Sequence, residues 1–276
     1  MNTGVEPTQA VFSQGYDANR DLQTAPHVEI RDVHHVYHSL EGETVALGGV
    51  SLTVDYGEFV SVVGPSGCGK STLLSLIAGL VRPTSGSVLV KGKPAKLGDP
   101  QVGYMLQHDY LFEWRTILDN CLLGLEVRRQ VTRERKERVL QLLEEYGLGG
   151  FAHRYPDELS GGMRQRAALV RTLALDPDLV LLDEPFGALD YQTRLRLEDD
   201  VARILKGSGK STILVTHDIS EAISMSDRVV VMSRRPGTIR RIISIDLGEG
   251  VEGPLAARRS PRMSEYFNLI WKELEE

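Results

Sequence analysis

The sequence predicts an α/β protein: a mostly parallel central sheet, an antiparallel β subdomain on its N-terminal side, and an inserted helical subdomain. Three observations carry that prediction. The unbroken apolar runs at Phe59–Val63, 179–182 and 212–215 suit strands buried on both faces. Between residues 28 and 54 apolar and polar residues alternate, as in antiparallel strands with one wet face. Between the apolar runs the period changes to 3.6, so the chain reads as strand–loop–helix units.

A length of 276 residues fits one large domain, or a core with an insert, rather than two full-size units. Charged residues at 25% and hydrophobic residues at 41% exclude a wholly disordered chain. The net charge of −6 argues against a dedicated nucleic-acid binder. Cys68 and Cys121 are too few for a disulfide framework and lack zinc-ligand spacing, so a reducing interior is expected. No stretch approaches the roughly 20 apolar residues of a membrane span. No Lys or Arg precedes Arg20, and no long apolar stretch follows, so no signal peptide is expected. Asn2 excludes the myristoylation pattern, and the ending Glu273-Leu274-Glu275-Glu276 excludes prenylation. Any link to a membrane is expected to run through a partner.

The elements follow in order. Residues 1–26 are polar and aperiodic and read as a mobile tail. Short strands are expected at 28–30, 36–37 and 51–54, with a turn at Asp55-Tyr56-Gly57. The strand Phe59–Val63 ends at Gly64. From Lys70, Leu73, Leu76, Ile77 and Leu80 share one helical face, and Gly79 and Pro83 mark the end. Strands follow near 87–90 and 102–106. Residues 108–176 read as the helical subdomain, with Val139, Leu142, Leu143 and Tyr146 on one face and Gly147 as a C-terminal stop. Asp218 and Glu221 have capping-box spacing. Strands are expected at Arg228–Met232 and 238–245. The main domain spans 27–248. A helical extension over 249–276 is opened by Ser260-Pro261, with Met263, Phe267, Ile270, Trp271 and Leu274 on its apolar side.

Gly64-Pro65-Ser66-Gly67-Cys68-Gly69-Lys70-Ser71 fits G-x-x-x-x-G-K-[ST], between an apolar strand and an amphipathic helix. Glycines let backbone N–H groups turn inward around phosphate oxygens, and the helix N-terminus adds partial positive charge. Lys70 offers a full charge to β- and γ-phosphates, and Ser71 a hydroxyl to Mg²⁺. A second GKST string, Gly209-Lys210-Ser211-Thr212, has Ile204 where the pattern needs Gly. It reads as a plain helix-to-strand loop.

Asp183 and Glu184 end the buried run at 179–182. Asp183 suits a Mg²⁺ ion or its water, and Glu184 suits the water that attacks a phosphate. By themselves they read equally as a helix cap and an exposed acid. Gln107 ends the strand near 102–106 and could contact the cation or the water through its amide oxygen; it could equally be solvated. His217 ends the 212–215 strand and could reach a γ-phosphate, and a lone His is as readily structural. Leu159-Ser160-Gly161-Gly162-Met163 opens another helix, whose bare first N–H groups make a second anion-binding terminus, or an ordinary capped start.

In this order the cradle, Gln107, LSGGM, LLDEP, Asp190 and His217 resemble the ATP-binding cassette family over most of residues 28–234. The resemblance implies a P-loop NTPase, RecA-like, core that binds and hydrolyses ATP with Mg²⁺. It implies nucleotide contacts from Tyr37, Gly64, Pro65, Ser66, Gly67, Cys68, Gly69, Lys70, Ser71 and Thr72. It assigns Glu184, His217, Gln107 and Lys70 to catalysis, and Ser71, Gln107 and Asp183 to the metal. Tyr37 sits where the family stacks an aromatic on adenine, though the residue also suits an ordinary strand position. Ser160, Gly161 and Gly162 form the signature loop, and Asp190 is the D-loop acid. Met163 departs from the Gln of many members and cannot make a strong hydrogen bond, so only the backbone part of that contact is implied. The family works as a head-to-tail dimer, each ATP between one chain's cradle and the other's signature, so a homodimer is implied.

The cradle, Glu113-Trp114-Arg115-Thr116, Asp183-Glu184-Pro185-Phe186-Gly187-Ala188-Leu189-Asp190, Ser233-Arg234-Arg235-Pro236-Gly237 and the C-terminal helix resemble the nitrate, sulfonate, taurine and bicarbonate importer branch. Glu113 stands where that branch usually has Pro. The resemblance implies a peripheral ATPase on the cytoplasmic face of the cell (inner) membrane. Transmembrane permease subunits would dock near residues 107–114, with Leu111 and Phe112 as contacts and Trp114 open between docking and packing. A solute-binding protein outside the membrane would act indirectly, and no nucleic acid is expected. The alternative is a non-transport cassette ATPase acting on nucleic acid or ribosomes. The chain has neither the long coiled coils nor the second cassette of those relatives. No Asn-Lys-x-Asp guanine motif supports a GTPase.

Overall fold

The structure is a computed structural model and describes residues 25–40, 42–187, 190–248, 250–251 and 253–275. The tail expected over 1–26 lies outside the described residues as far as residue 24.

Strands β1 (Val28–Ser39), β2 (Gly42–Val54), β4 (Ser85–Val90) and β5 (Lys93–Pro94) form a four-stranded antiparallel sheet in the order β2-β1-β4-β5. The sequence suggested shorter pieces because β1 is irregular. Its register with β2 shifts between Ile30 and Val33, Val33 and His34, and His35 and Val36, and Asp32 takes a φ of 46°. Each shift breaks the two-residue alternation that marks a strand.

The second sheet has six strands: β3 (Phe59–Val63), β6 (Val102–Met105), β7 (Leu179–Asp183), β8 (Ser211–Val215), β9 (Arg228–Met232) and β10 (Ile239–Ser244). Their order is β10-β9-β3-β8-β7-β6, all parallel except the edge strand β10. The apolar runs are continuous because each face meets its own core. Val60, Val62, Leu179, Leu181, Ile213 and Val215 face α1 (Lys70–Ile77) and the antiparallel sheet. Phe59, Val180, Leu182 and Leu214 face the helical layer. Burying one such side chain contributes about 1.5–3 kcal/mol.

The helical layer contains α2 (Ile117–Val127), α3 (Arg133–Glu145), α4 (Gly161–Leu173) and α5 (Tyr191–Gly207). Thr116 and Thr132 cap α2 and α3 by accepting from the N–H of Asp119 and Arg135. Val139, Leu142, Leu143 and Tyr146 are buried together, and Gly147 follows with φ 69°. The loop from Gly207 to Ser211 is the plain helix-to-strand connection expected of the second GKST string.

Some expectations are corrected. Helix α1 stops at Ile77, and Gly79 turns the chain at φ 68°, so Leu80 leaves the apolar face and is 48% exposed. Asp218 caps α6 (Ile219–Met225) through Ser220 and Glu221 N–H, but its own N–H donates to Thr216 Oγ1. A short α7 (Gly253–Ala257) precedes α8 (Arg262–Glu275). The Ser260 hydroxyl does not cap α8 and donates to the Leu247 carbonyl at 2.9 Å. Met263 and Ile270 are buried against α6, β9 and β10, whereas Trp271 is half-exposed and stacks on Phe267.

His27 links the two sheets. The Ser211 hydroxyl donates to the Asp55 carbonyl at 3.1 Å, so His27 Nδ1–H donates to Ser211 Oγ at 2.6 Å. Nε2 is then buried with no partner among the described residues. Burial, with Lys91 nearby, lowers its pKa to about 4. In the unfolded chain it titrates near 6.5. Between those values the unfolded chain binds more protons, so stability falls as pH drops from about 6.5 toward 4. Chemical denaturation across that window should show a flatter acid limb in His27→Gln than in the native protein.

Candidate active site

Strands β3, β8, β7 and β6 are consecutive neighbours in one parallel sheet, so their carboxyl ends lie side by side. Asp183 is the last residue of β7, and the loops leaving the four ends carry the cradle, His217, Glu184 and Gln107. A cavity of about 460 Å³ opens there, with Tyr37, Ser66, Gly67, Gly69, Lys70, Ser71, Thr72, Gln107, Glu184 and His217 on its walls.

The cradle's shape follows from its glycines. Gly69 has φ 106°, and a Cβ there would come within 2.9 Å of the Ala46 carbonyl oxygen. Gly64 has no room either: a Cβ would lie 2.8 Å from Cys68 Sγ. No side chain caps the start of α1, which leaves its first N–H groups for a ligand. Lys70 is 7% exposed and folds back, donating from Nζ to the Gly64 and Pro65 carbonyls at 2.8 and 3.0 Å. Those carbonyl bonds can be exchanged for phosphate oxygens. Tyr37 donates to Thr72 Oγ1 at 3.3 Å, and its ring borders the cavity. Cys68 is buried, and burial raises its thiol pKa, so it fills space and is not poised as a reactive thiolate.

Ser71 donates from Oγ to Asp183 Oδ1 at 3.1 Å, and Tyr104 donates to Asp183 Oδ2 at 3.4 Å. Burial raises the Asp183 pKa, and the Ser71 bond opposes that rise. Burial and the same carboxylate push Tyr104 up to about 12. A buried carboxylate beside a serine hydroxyl is a donor pair that suits a cation. Among the described residues no group of three or more His, Cys, Asp or Glu could hold a metal by itself. One carboxylate, one hydroxyl and one amide oxygen fit a small hard cation that keeps water and takes phosphate oxygens.

Glu184 is a non-glycine residue at φ 47°, a conformation that costs on the order of 1–3 kcal/mol. Its N–H donates to the Val215 carbonyl at 2.9 Å, which anchors the strained residue. The carboxylate points into the cavity, where Gln107 Nε2 donates to Oε2 at 3.1 Å and His217 Nδ1 lies 3.4 Å from it. A base, an amide and an imidazole from three strand ends therefore meet at one oxygen.

The other expected residues are not brought there within one chain. Ser160 caps α4 by accepting from Met163 N–H at 3.4 Å, with Gly161 and Gly162 in its first turn. Asp190 caps α5 by accepting from Thr193 N–H at 3.1 Å. None of them borders the cavity. Met163 packs against the helical core. Pro65 lines a separate shallow groove. Leu111, expected as a partner contact, is 8% exposed and belongs to the helical core. Tyr110 and Trp114 are exposed, and Phe112 packs against Trp114 with ring centroids 4.8 Å apart.

Sequence reasoning assigned no role to Tyr104, Ala46 or Arg235. Tyr104 is the second partner of Asp183, and the other two line the cavity. The alternation of β6 allowed Tyr104 to be placed; Ala46 on β2 and Arg235 in the loop after β9 are distant in sequence and carry no local signal. Also unforeseen are the ties from Asp109 to α4: a 3.2 Å ion pair with Arg164, and its carbonyl bonded to Arg171.

A family model described as "ABC transporter" matches residues 47–187. The chain belongs to the ABC transporter family. It is 49% identical to the uncharacterized ABC transporter ATP-binding protein YtlC of Bacillus subtilis, over 90% of this chain and 95% of that one. It is 41% identical to the nitrate import ATP-binding protein NrtD of Synechocystis sp., over 88% and 93%. Among solved structures, it matches the ATP-binding cassette MJ0796 in a dimeric post-hydrolysis state bound to ADP and Pi. That match has a TM-score of 0.71 and 32% identity, over 79% of this chain and 99% of that one. The P-loop NTPase fold expected from the sequence is therefore the fold observed.

Gly69→Ala tests the cradle of this ABC protein. A Cβ at φ 106° against the Ala46 carbonyl forces the loop to shift. Isothermal titration should show nucleotide affinity falling at least about tenfold, with a thermal midpoint only a few degrees lower.

Proposed function

We propose that this chain is the ATP-hydrolysing subunit of an importer for a small solute of the nitrate, sulfonate or taurine class, driven through separate membrane subunits. One observation carries the reading: Lys70, Ser71, Gln107, Glu184 and His217, from four adjacent strand ends, wall a single cavity, with Asp183 bonded to Ser71. The relation to a nitrate import subunit over most of both chains supports the importer reading. Among the described residues no helix is long and apolar enough to cross a membrane, which is consistent with attachment through partners at its cytoplasmic face.

Each residue has work that its position suits. The cradle N–H groups and Lys70 hold the β- and γ-phosphates, and Tyr37 receives the adenine. Mg²⁺, when bound, neutralises phosphate charge and polarises the γ-phosphate; Ser71, Asp183 and Gln107 would hold it. Glu184 orients the attacking water and accepts its proton, while His217 steadies the Glu184 carboxylate and reaches toward the γ-phosphate. Ser160, Gly161, Gly162 and Asp190 lie away from this cavity, so they suit a second copy's nucleotide. Two chains head to tail would make two complete sites. ATP then closes the pair, and hydrolysis lets it reopen. Exposed Tyr110 and Trp114, with half-buried Phe112 packed on Trp114, offer an aromatic surface close to Gln107 in sequence, suited to a permease loop.

Glu184→Gln should bind ATP normally, lose at least about a hundredfold in turnover and elute as a dimer with ATP in size exclusion. Rapid hydrolysis by that variant would remove Glu184 from its role. Affinity purification of the tagged chain from detergent-solubilised native membranes should recover a polytopic membrane protein. Recovery of ribosomes or nucleic acid instead would favour a non-transport cassette ATPase.

A further inference from the structure

Arg235 lines the same cavity from the loop between β9 and β10, far from the cradle in sequence. Its Nε–H donates to the Gly67 carbonyl at 3.1 Å. A guanidinium has five N–H donors, so most remain available for a ligand. No carboxylate forms an ion pair with Arg235 among the described residues, whereas Arg228 and Arg241, on the two strands that flank its loop, are paired with Glu58 and Glu273. Lys70 is the only other Lys or Arg on the described wall.

The loop that carries Arg235 is held rigidly against the cradle. Gly237 N–H donates to the Ala46 carbonyl at 2.9 Å, and Gly48 N–H donates to the Gly237 carbonyl at 3.0 Å. A Cβ on Gly237 would sit 2.0 Å from the Cys68 carbonyl oxygen, so the two loops are in direct backbone contact. Ser233 Oγ accepts from Thr238 N–H at 3.0 Å and closes the loop's base. A cation on such a brace is pre-organised, and little entropy is lost when it meets an anion.

We propose that Arg235 is a phosphate-binding residue of the nucleotide site, a second fixed cation facing the polyphosphate across from Lys70. This rests on reading the cavity as a nucleotide site. A planar guanidinium suits two oxygens of one phosphate, which an ammonium meets only as a point charge. The bond to Gly67 tethers the guanidinium to the cradle and braces the turn that Gly67 makes at φ 73°.

The test measures ADP and tripolyphosphate affinity, by displacement of a fluorescent ADP analogue, for the native chain and four variants. Arg235→Ala and Arg235→Gln should each weaken both ligands about tenfold, the size of a lost hydrogen bond to a charged group. Arg235→Lys, which keeps the charge but not the planar fork, should recover only part of the loss. Arg234→Ala, one residue away and off the described cavity wall, should bind like the native chain. The native affinity should also fall more steeply with salt than that of Arg235→Gln, because one screened charge contact has gone. Thermal midpoints without ligand separate folding failures from binding effects. Affinities for Arg235→Ala within twofold of native would overturn the proposal. So would native-like binding by Arg235→Gln, because that side chain can still brace Gly67 without a charge. Loss of ADP binding with tripolyphosphate binding intact would place Arg235 at the base and also overturn it. A native chain that binds no ATP or ADP would instead overturn the nucleotide reading itself.

Discussion

Double-sided burial of β3, β7 and β8 is the constraint on which the rest depends. Successive residues of each strand enter different cores: Leu179 and Leu181 one, Val180 and Leu182 the other. A register slip of one residue would exchange the two sets and mismatch both cores. The register is therefore tightly held, and with it the level at which each strand ends. Asp183 is the last residue of β7, and Lys70, Glu184 and His217 lie beyond the strand ends. Their convergence needs no separate device, because it follows from aligned parallel strands with aligned carboxyl termini.

The polar groups beneath the site cost stability and are satisfied in pairs. Asp183 is relieved by Ser71 and Tyr104, and Lys70 by two carbonyls. A second buried set lies behind α5 and α6. Glu198 is fully buried and paired at 2.6 Å with Arg258, which follows α7. Burial and the neighbouring Glu198 and Asp218 raise Glu221 well above the usual carboxylate range. Removing Arg258 would strand a buried carboxylate, a larger penalty than the net worth of the pair. The C-terminal extension is thereby tied to the helix that Asp190 caps.

The segment after Gln107 is tied to the helical layer rather than to the sheet. Asp109 pairs with Arg164, and Arg171 bonds the carbonyls of Asp109 and Tyr110. Asn120 donates to three carbonyls, of Phe112, Arg115 and Thr116, and accepts from Phe112 N–H. The aromatic surface at Tyr110, Phe112 and Trp114 is therefore mounted on α2 and α4, whose cap is Ser160. Few bonds separate that surface from α4.

The sequence by itself determined the class of fold, the cradle, the strand-end acids and the order of motifs, because these depend on local pattern. Apolar runs mark two-sided strands, glycines mark turns that other residues adopt only with strain, and Gly-Lys-Ser before a helix marks an anion site. Gln107 and His217 are candidates only, each readable as a plain polar residue at a strand end, and their weight comes from the order of the motifs. Only the tertiary structure decided that Gln107, Glu184 and His217 meet at one carboxylate oxygen. It decided that Leu111 faces the core and Trp114 does not, since a mixed apolar stretch has no period that separates them. It placed Tyr104 on Asp183 and Arg235 on Gly67, contacts between residues 79 and 168 positions apart. Such contacts follow from how sheets and loops pack, and chain-local periodicity carries no record of them.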